Sequence, residues 1–496
     1  MSSHLRHPVL VASNRGPVSF SIGDDGALTA RRGGGGMVSG LSSALAASAT
    51  GGYEARGGYS TGGTALWVCA AMSDADRAAA RHGVVAAGES PGDVPVLMLD
   101  IRPATFEAAY NSIANSVLWF VHHMLFDTPN QPHFGREFRA DWAAYTEYNA
   151  AFAAALVEQA GPGSKILIQD YHLALAPRQV RDLRPEARVA HFSHTPWAPP
   201  AYFRMLPDDV ATALLDGMLG ADHLGFLAGR WADAFLACCA EVLGAEVSDS
   251  GASGRTVTYR GRTTTVAVHP LGVDAESLRE RARRDDVQAH KAMLRAQGGE
   301  RQLIVRVDRT ELSKNIVRGL AAFRELLESR PQWRGKVSHL AFAYPSRSAI
   351  PEYQAYTERV RQAAREINEQ FATPDWTPVV LEVKDDYARS LAACAVADVL
   401  LINPIRDGMN LVAEEGPILS ERGCALVLSR EAGAASLIGQ EALLVNPYDV
   451  CATAAALHEA LCLPGAERRR RSAAITAAAS GAAPARWLAA QLAGLD

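Results

Sequence analysis

The sequence predicts an α/β protein built from two doubly wound domains, each a mostly parallel sheet covered by helices on both faces. Three observations carry that reading. Strand-like and helix-like stretches alternate along nearly the whole chain of 496 residues. Several short strand-like runs are apolar at every position, as strands buried on both faces require. The alternation begins afresh after Val268-His269-Pro270-Leu271-Gly272-Val273-Asp274, where a strand meets proline and glycine.

In order, strands are predicted at Val9–Ser13, Ala65–Ala70, Val94–Asp100, Lys165–Asp170, Arg188–His194 and Asp222–Leu227, with helical periodicity clearest over Glu137–Gln159 and Arg230–Leu243. The second series has strands at Leu303–Val307, His339–Tyr344, Val379–Val383, Val399–Asn403, Ala425–Ser429 and Ala442–Asn446. Its helices are predicted at Ile316–Ser329, Glu352–Gln370, Tyr387–Ala395, Cys451–Leu461 and Ala466–Ala479. The polar stretch Asp249–Gly254 reads as a loop. Residues 1–269 therefore form a first domain and 270–480 a second, and the segment 481–496, which carries Trp487, packs back on the first.

Composition narrows the class. A hydrophobic share of 48% and a charged share of 21% fit a globular enzyme. A net charge of −5 gives no reason to expect nucleic acid or an anionic membrane as partner. The run Arg468-Arg469-Arg470-Arg471 reads as a solvated helix face. Seven cysteines without CxxC spacing imply reduced, buried thiols and a cytoplasmic location. The apolar run Val9–Ala12 is too short for a signal or membrane segment.

Chemistry concentrates at predicted strand ends. Pro404-Ile405-Arg406-Asp407-Gly408-Met409-Asn410-Leu411-Val412-Ala413-Glu414-Glu415 follows an apolar strand and leads into a helix. Exposed helix-start amides suit a phosphate, and carboxylates suit sugar hydroxyls. Arg309 and Lys314 follow another strand, and two cations there suit a diphosphate leaving group. Arg15 lies just past the first strand, and the run Gly33-Gly34-Gly35-Gly36 permits close approach of backbone to phosphate. Asp170 and His194 end neighbouring strands and suit sugar hydroxyls. Tyr110 and Trp119 lie in a helical aromatic stretch able to stack on a sugar. Asp74-Ala75-Asp76 has the DxD form of some metal–nucleotide sites but reads as a helix start, and the His191/His194 pair lacks a third ligand, so no metal is expected.

These segments in this order resemble the trehalose-6-phosphate synthases, family 20 of the retaining glycosyltransferases, and within it the actinobacterial branch. The motifs are SNRGP, the glycine run, YN…NSVLW, QDYHL, HTPW, LGVD, DRTELSKN, PSR, RDGMNLVAEE and SREAGA, spread over about residues 9–450. The resemblance implies a GT-B fold with an acceptor domain first and a nucleotide-sugar domain second, the active site lying in the cleft between them. It implies that Gly36, His194, Arg309, Lys314, Asp407, Gly408, Met409, Asn410, Leu411 and Glu415 bind the donor. Arg15, Tyr110, Trp119, Asp170 and Arg347 would bind the acceptor, and Arg309, Lys314, His194 and Asp407 would serve catalysis. It implies glucose transfer from GDP-glucose or UDP-glucose to glucose 6-phosphate, giving α,α-trehalose 6-phosphate, without cofactor or metal, by a homo-oligomer.

The sequence departs from the pattern where many members carry a tryptophan near the acceptor, for here Ala70 or Ala71 takes that place. A pseudo-glycosyltransferase joining a nucleotide-activated cyclitol to an aminocyclitol phosphate is one alternative, and a silent sugar-phosphate-binding regulator is another. Glu415-Gly416-Pro417 implies a modified helix start. Lys384-Asp385-Asp386 follows the strand beside the expected base, where a carboxylate would accept from guanine's two adjacent donors and where a helix N-cap is the plainer role.

Overall fold

The computed structural model describes residues 7–23, 26–32, 38, 40–42, 44–45, 65–86, 94–249, 254–347 and 350–496. They divide into two compact units, Met1–Pro270 with Pro484–Asp496, and Leu271–Ala483. The glycine run 33–36, Gly36 included, lies outside the described residues.

The strands of the first unit are β1 (His7–Ser13), β2 (Val18–Ile22), β3 (Leu28–Arg32), β4 (Leu66–Ala70), β5 (Val96–Leu99), β6 (Ala160–Gln169), β7 (Arg188–Ser193), β8 (His223–Phe226), β9 (Glu246–Asp249), β10 (Arg255–Tyr259) and β11 (Arg262–Val268). One sheet runs β5-β4-β1-β6-β7-β8-β11-β10-β9. It is parallel from β5 to β11 and ends in antiparallel β10 and β9. Its centre is apolar because both faces are covered: every residue of β4 and all of β1 from Val9 onward are buried. The order reverses direction between β1 and β6, so the carboxyl ends of those two strands flank a topological switch point.

Two features depart from the sequence expectation. β2 and β3 form a hairpin, and β9, β10 and β11 form an antiparallel ribbon. The β10–β11 turn is Arg260-Gly261, both at positive φ (50° and 76°), a geometry that matches the twist of its flanking strands. The alternation in Arg255–Tyr259 and Arg262–Val266 around that glycine is the sequence signal for it.

The second unit holds β12 (Gln302–Arg309), β13 (Val337–Tyr344), β14 (Val379–Glu382), β15 (Val399–Ile402), β16 (Ala425–Ser429) and β17 (Leu443–Val445). They form a parallel sheet in the order β14-β13-β12-β15-β16-β17. This is the Rossmann order, with its switch point between β12 and β15. β15 shows why an unbroken apolar run is needed. Leu400 and Ile402 enter one core cluster, and Val399 and Leu401 enter the cluster on the other face. Each such side chain contributes roughly 1.5–3 kcal/mol by burial.

Helices lie at Arg136–Gln159, Gly229–Leu243, Ile316–Ser329, Pro351–Phe371, Tyr387–Val396, Val450–Cys462 and Gly465–Gly481, within two residues of the expected bounds. The closing helix Pro484–Ala493 buries Trp487, Leu488, Gln491 and Leu492. Trp487 meets Phe192 of β7 edge-on at 4.9 Å, and Lys165 of β6 donates to Leu492 O at 3.1 Å. The cysteines correct the expectation of uniform burial: Cys451 and Cys462 are exposed, whereas Cys69, Cys238, Cys239, Cys394 and Cys424 are buried, and all seven are free. No helix among the described residues is long and apolar enough to cross a membrane.

Candidate active site

At the switch point of the second sheet, Arg309 ends β12 and Lys314 closes the short 3-10 turn Leu312–Lys314. Lys314 Nζ donates to Asp407 Oδ2 at 2.5 Å. Burial works to lower the Lys314 pKa, but Asp407 and Asp308 outweigh it and raise it, so the amine stays charged. Asn410 Nδ2 donates to the same Asp407 oxygen at 3.0 Å. Asn410 holds φ at 75°, a left-handed conformation that asparagine tolerates.

The helix Val412–Leu419 follows directly. The N–H groups of Met409, Asn410 and Leu411, in the turn leading into that helix, donate to no described residue, an arrangement that suits an anion. Glu415 lies in the first turn, and Pro417 sits inside the helix rather than at its start. Burial pushes Glu415 up to about 7 and Glu414 up to about 8, although Val273 N–H donates to Glu414 Oε2 at 2.9 Å. The segment 429–434 closes on this loop. A side chain at Gly433 would place its Cβ 1.8 Å from Gly408 O, so only glycine fits.

Sequence reasoning missed two supports here. Arg306, buried beneath the loop, donates to Asp308 Oδ2 at 2.8 Å and to Lys314 O at 3.0 Å. Gly319 makes room for it, since a Cβ there would lie 2.1 Å from Arg306 Nη1. Glu311 is the second. It is wholly buried, accepts from Ser346 Oγ at 2.9 Å, and meets Arg309 Nη1 at 3.0 Å and Arg347 Nη1 at 3.4 Å. The structure thus places Arg347 in the second unit beside Arg309, and Arg347 Nη1 also donates to Tyr353 OH at 2.7 Å. Glu311 stands in the polar run Asp308-Arg309-Thr310-Glu311-Leu312, where nothing local sets it apart from its charged neighbours.

At the switch point of the first sheet, Arg15 follows β1, and its Nη2 donates to Tyr110 OH at 3.0 Å. Tyr110 lies on a π-helical turn, Ala108–Leu118, and its ring stacks on His172 at 5.7 Å. Trp119 opens the next helix, is almost fully buried, and stacks on His123 at 3.8 Å. Asp170 follows β6 with φ at 73°, a strained setting for a residue bearing a side chain. Burial pushes the Asp170 pKa up, but His172, His194 and the Tyr171 N–H outweigh it and bring it down to about 2.

His194 follows β7. Its backbone N–H donates to Asp170 Oδ1 at 3.2 Å, and its Nε2 lies 2.9 Å from Gln169 Oε1. Burial lowers its pKa to about 4 despite Asp170, so the ring is neutral at pH 7. The closing helix braces it: Gln169 Nε2 donates to Gln491 Oε1 at 3.3 Å, and Trp487 packs 5.5 Å from the imidazole. Gln169, Gln491 and Trp487 carried no sequence signal for this role, because they converge only in the fold. Ala70 ends β4 and Ala71 follows it, both buried, and Trp67 on the same strand is buried with Nε1 donating to Ser13 Oγ at 2.8 Å.

The remaining motifs resolve as structural. Asp76 and Ser73 form a capping box for the helix Asp74–Ala80, and Asp76 also accepts from Phe20 N–H. Asp386 caps the helix Tyr387–Val396 by accepting from Arg389 N–H at 3.0 Å, whereas Asp385 stays exposed. No group of three or more His, Cys, Asp or Glu among the described residues is placed to hold a metal ion. A cavity of about 590 Å³ in the second unit is lined by Arg279, Arg283, Lys291, Leu419, Glu421 and Arg469, among others, and by none of the site residues above.

Two Rossmann-like units, one with a buried lysine beside a helix start at its switch point, are the architecture of the GT-B glycosyltransferases. The comparisons specify it further: the model of glycosyltransferase family 20 matches residues 17–496, and the chain belongs to that family. It is 33% identical over 369 residues to a probable UDP-forming alpha,alpha-trehalose-phosphate synthase of Arabidopsis thaliana, covering 74% of this chain and 44% of that protein. The chain thus spans less than half the length of this curated relative. A UDP-forming alpha,alpha-trehalose-phosphate synthase from Burkholderia xenovorans, solved with glucose 6-phosphate, superposes with a TM-score of 0.82 at 27% identity, covering 98% of this chain and 99% of that one. The E. coli protein bound with UDP-2-fluoro glucose gives a TM-score of 0.82 at 27% identity, covering 98% of each chain.

Proposed function

We propose that this chain transfers glucose from a nucleoside diphosphate glucose to glucose 6-phosphate, forming α,α-trehalose 6-phosphate. The observation that carries it is Lys314, charged and held 2.5 Å from Asp407 beside three helix-start N–H groups. Arg309 and Lys314 would neutralise the diphosphate as the sugar–phosphate bond breaks. Asp407, Gly408 and the amides of Met409, Asn410 and Leu411 would hold the donor sugar and phosphate, with Gly36 against the diphosphate and Glu415 on the ribose hydroxyls. Neutral His194 would bond a donor-sugar hydroxyl. Arg15, Tyr110, Trp119, Asp170 and Arg347 would hold the acceptor, the cations on its phosphate and Asp170 on its hydroxyls.

The reaction would keep the anomeric configuration. The acceptor hydroxyl attacks the sugar on the face that the diphosphate leaves, through an oxocarbenium-like state. The departing phosphate oxygen takes the acceptor's proton, so no enzyme base is needed.

UDP-glucose is the proposed donor, in line with the names of the relatives. GDP-glucose is a second reading, supported by exposed Asp385 at the end of β14, which is free of the capping role that Asp386 fills. A product assay with glucose 6-phosphate and a panel of nucleotide sugars tests both. A non-reducing disaccharide phosphate formed with equal nucleoside diphosphate supports the reading. Absence of any such product with every donor would overturn it.

A further inference from the structure

We propose that Glu311 is a positioning residue that holds Arg309 and Arg347 on one carboxylate, so that the donor and acceptor phosphates are received by a single braced pair of arginines. The inference rests on the reading above, in which Arg309 takes the donor diphosphate and Arg347 the acceptor phosphate.

Topology creates the junction. β12 and β13 are parallel neighbours, and their partnering continues one residue past the sheet, with Thr310 N–H donating to Tyr344 O at 2.6 Å. The loops leaving the two strands therefore start side by side. Arg309 belongs to the first of them, and Ser346 and Arg347 belong to the second. Glu311 sits where the loops meet, its backbone fixed by Glu311 N–H to Arg309 O at 2.7 Å and Lys314 N–H to Glu311 O at 3.0 Å.

One oxygen does the joining. Glu311 Oε1 lies 3.0 Å from Arg309 Nη1, 3.4 Å from Arg347 Nη1 and 2.9 Å from Ser346 Oγ. The carboxylate is 0% exposed, and a lone buried carboxylate is costly enough that it survives only with cations against it. The two guanidiniums differ in setting. Arg347 is 8% exposed, whereas Arg309 is 49% exposed. Arg347 is also fixed by Tyr353 OH and by a left-handed backbone, φ 45°. Glu311 thus ties the more exposed arginine to the buried one.

The physical consequence separates positioning from binding. Replacing Glu311 by glutamine removes the negative charge between two phosphate-seeking cations. Anion attraction in the ground state is then undiminished, but the arms lose their shared anchor, and reaction depends on geometry more steeply than binding does. For Glu311→Gln, kcat is expected to fall about tenfold to a hundredfold while KM for each substrate stays within about threefold. Ser346→Ala removes one bond to Oε1 and leaves both ion pairs, so it is expected to lower kcat about twofold to fivefold with both KM values unchanged.

The experiment is steady-state kinetics of wild type and both variants with UDP-glucose and glucose 6-phosphate, alongside thermal melting. Wild type inactive with UDP-glucose and, in the same assay, with GDP-glucose would sink the functional reading itself. Wild type active with Glu311→Gln at wild-type kcat would overturn only the role of Glu311. A loss confined to KM for one substrate would also overturn it, because Glu311 would then serve a single arginine. If Glu311→Gln does not fold, an unchanged kcat in Ser346→Ala counts against the proposal, and a lowered kcat at unchanged KM supports it.

Discussion

Lys314 Nζ and Asp407 Oδ2 lie 2.5 Å apart, joining the loop after β12 to the loop after β15 across the switch point of the second sheet. The pair is nearly buried, at 12% and 14% side-chain exposure. Water therefore screens it little, and each group fixes the other's position. Asp407→Asn keeps the shape and removes the charge. It is expected to raise the donor KM about tenfold, since the charge-assisted bond to Lys314 and its alignment with Asn410 are both weakened. Donor titration at saturating glucose 6-phosphate checks this.

Glu415 is raised by burial to about 7, so its ionised fraction changes across neutral pH. Only the ionised carboxylate accepts from two ribose hydroxyls without a competing proton. Donor KM is expected to fall as pH rises from about 6 to about 8, and then to level off. Glu415→Gln is expected to flatten that dependence. A pH series of donor KM in the two proteins checks it.

Glu414 carries a stability cost of the same origin. Its pKa rises from 4.5 to about 8 on burial, so the folded chain binds this proton more tightly than the unfolded chain does. Stability from this group therefore falls as pH rises from about 4.5 to about 8. Glu414→Gln retains an oxygen for the Val273 N–H and removes the charge. The variant is expected to gain on the order of a few kcal/mol at pH 8 and less than about 1 kcal/mol at pH 5. Thermal melts at the two pH values read it out.

His194 is held by the closing helix through Gln169 and Gln491. Gln491→Ala frees Gln169 to turn away, and the neutral ring then loses the partner that orients it. A kcat lowered about threefold to tenfold is expected, equivalent to roughly 0.7–1.4 kcal/mol. Steady-state kcat of the variant at saturating UDP-glucose and glucose 6-phosphate checks it.

Most of the second unit was legible in the sequence because its signals are local. An apolar run such as Val399–Ile402 has few ways to be buried, and a strand end followed by glycine, asparagine and acid marks a candidate site. The β10–β11 ribbon was missed because threonine alternation is weaker than an apolar run, although Arg260-Gly261 marks the turn. Glu311 and Gln491 were missed for another reason. Glu311 meets Arg347 from 36 positions away, and Gln491 meets Gln169 across a separation of 322. No pattern within a segment encodes such meetings. The capping acids Asp76 and Asp386 show the converse, since their roles are local and could be read directly.

Charge stabilisation by Lys314 and Arg309 as the diphosphate leaves is the centre of the proposed mechanism. The most direct measurement is kcat of Lys314→Ala at saturating nucleotide sugar and glucose 6-phosphate, where a binding defect no longer contributes. The expected result is a fall of about a hundredfold or more, roughly 3 kcal/mol of lost transition-state stabilisation. Turnover equal to wild type under those conditions would contradict it.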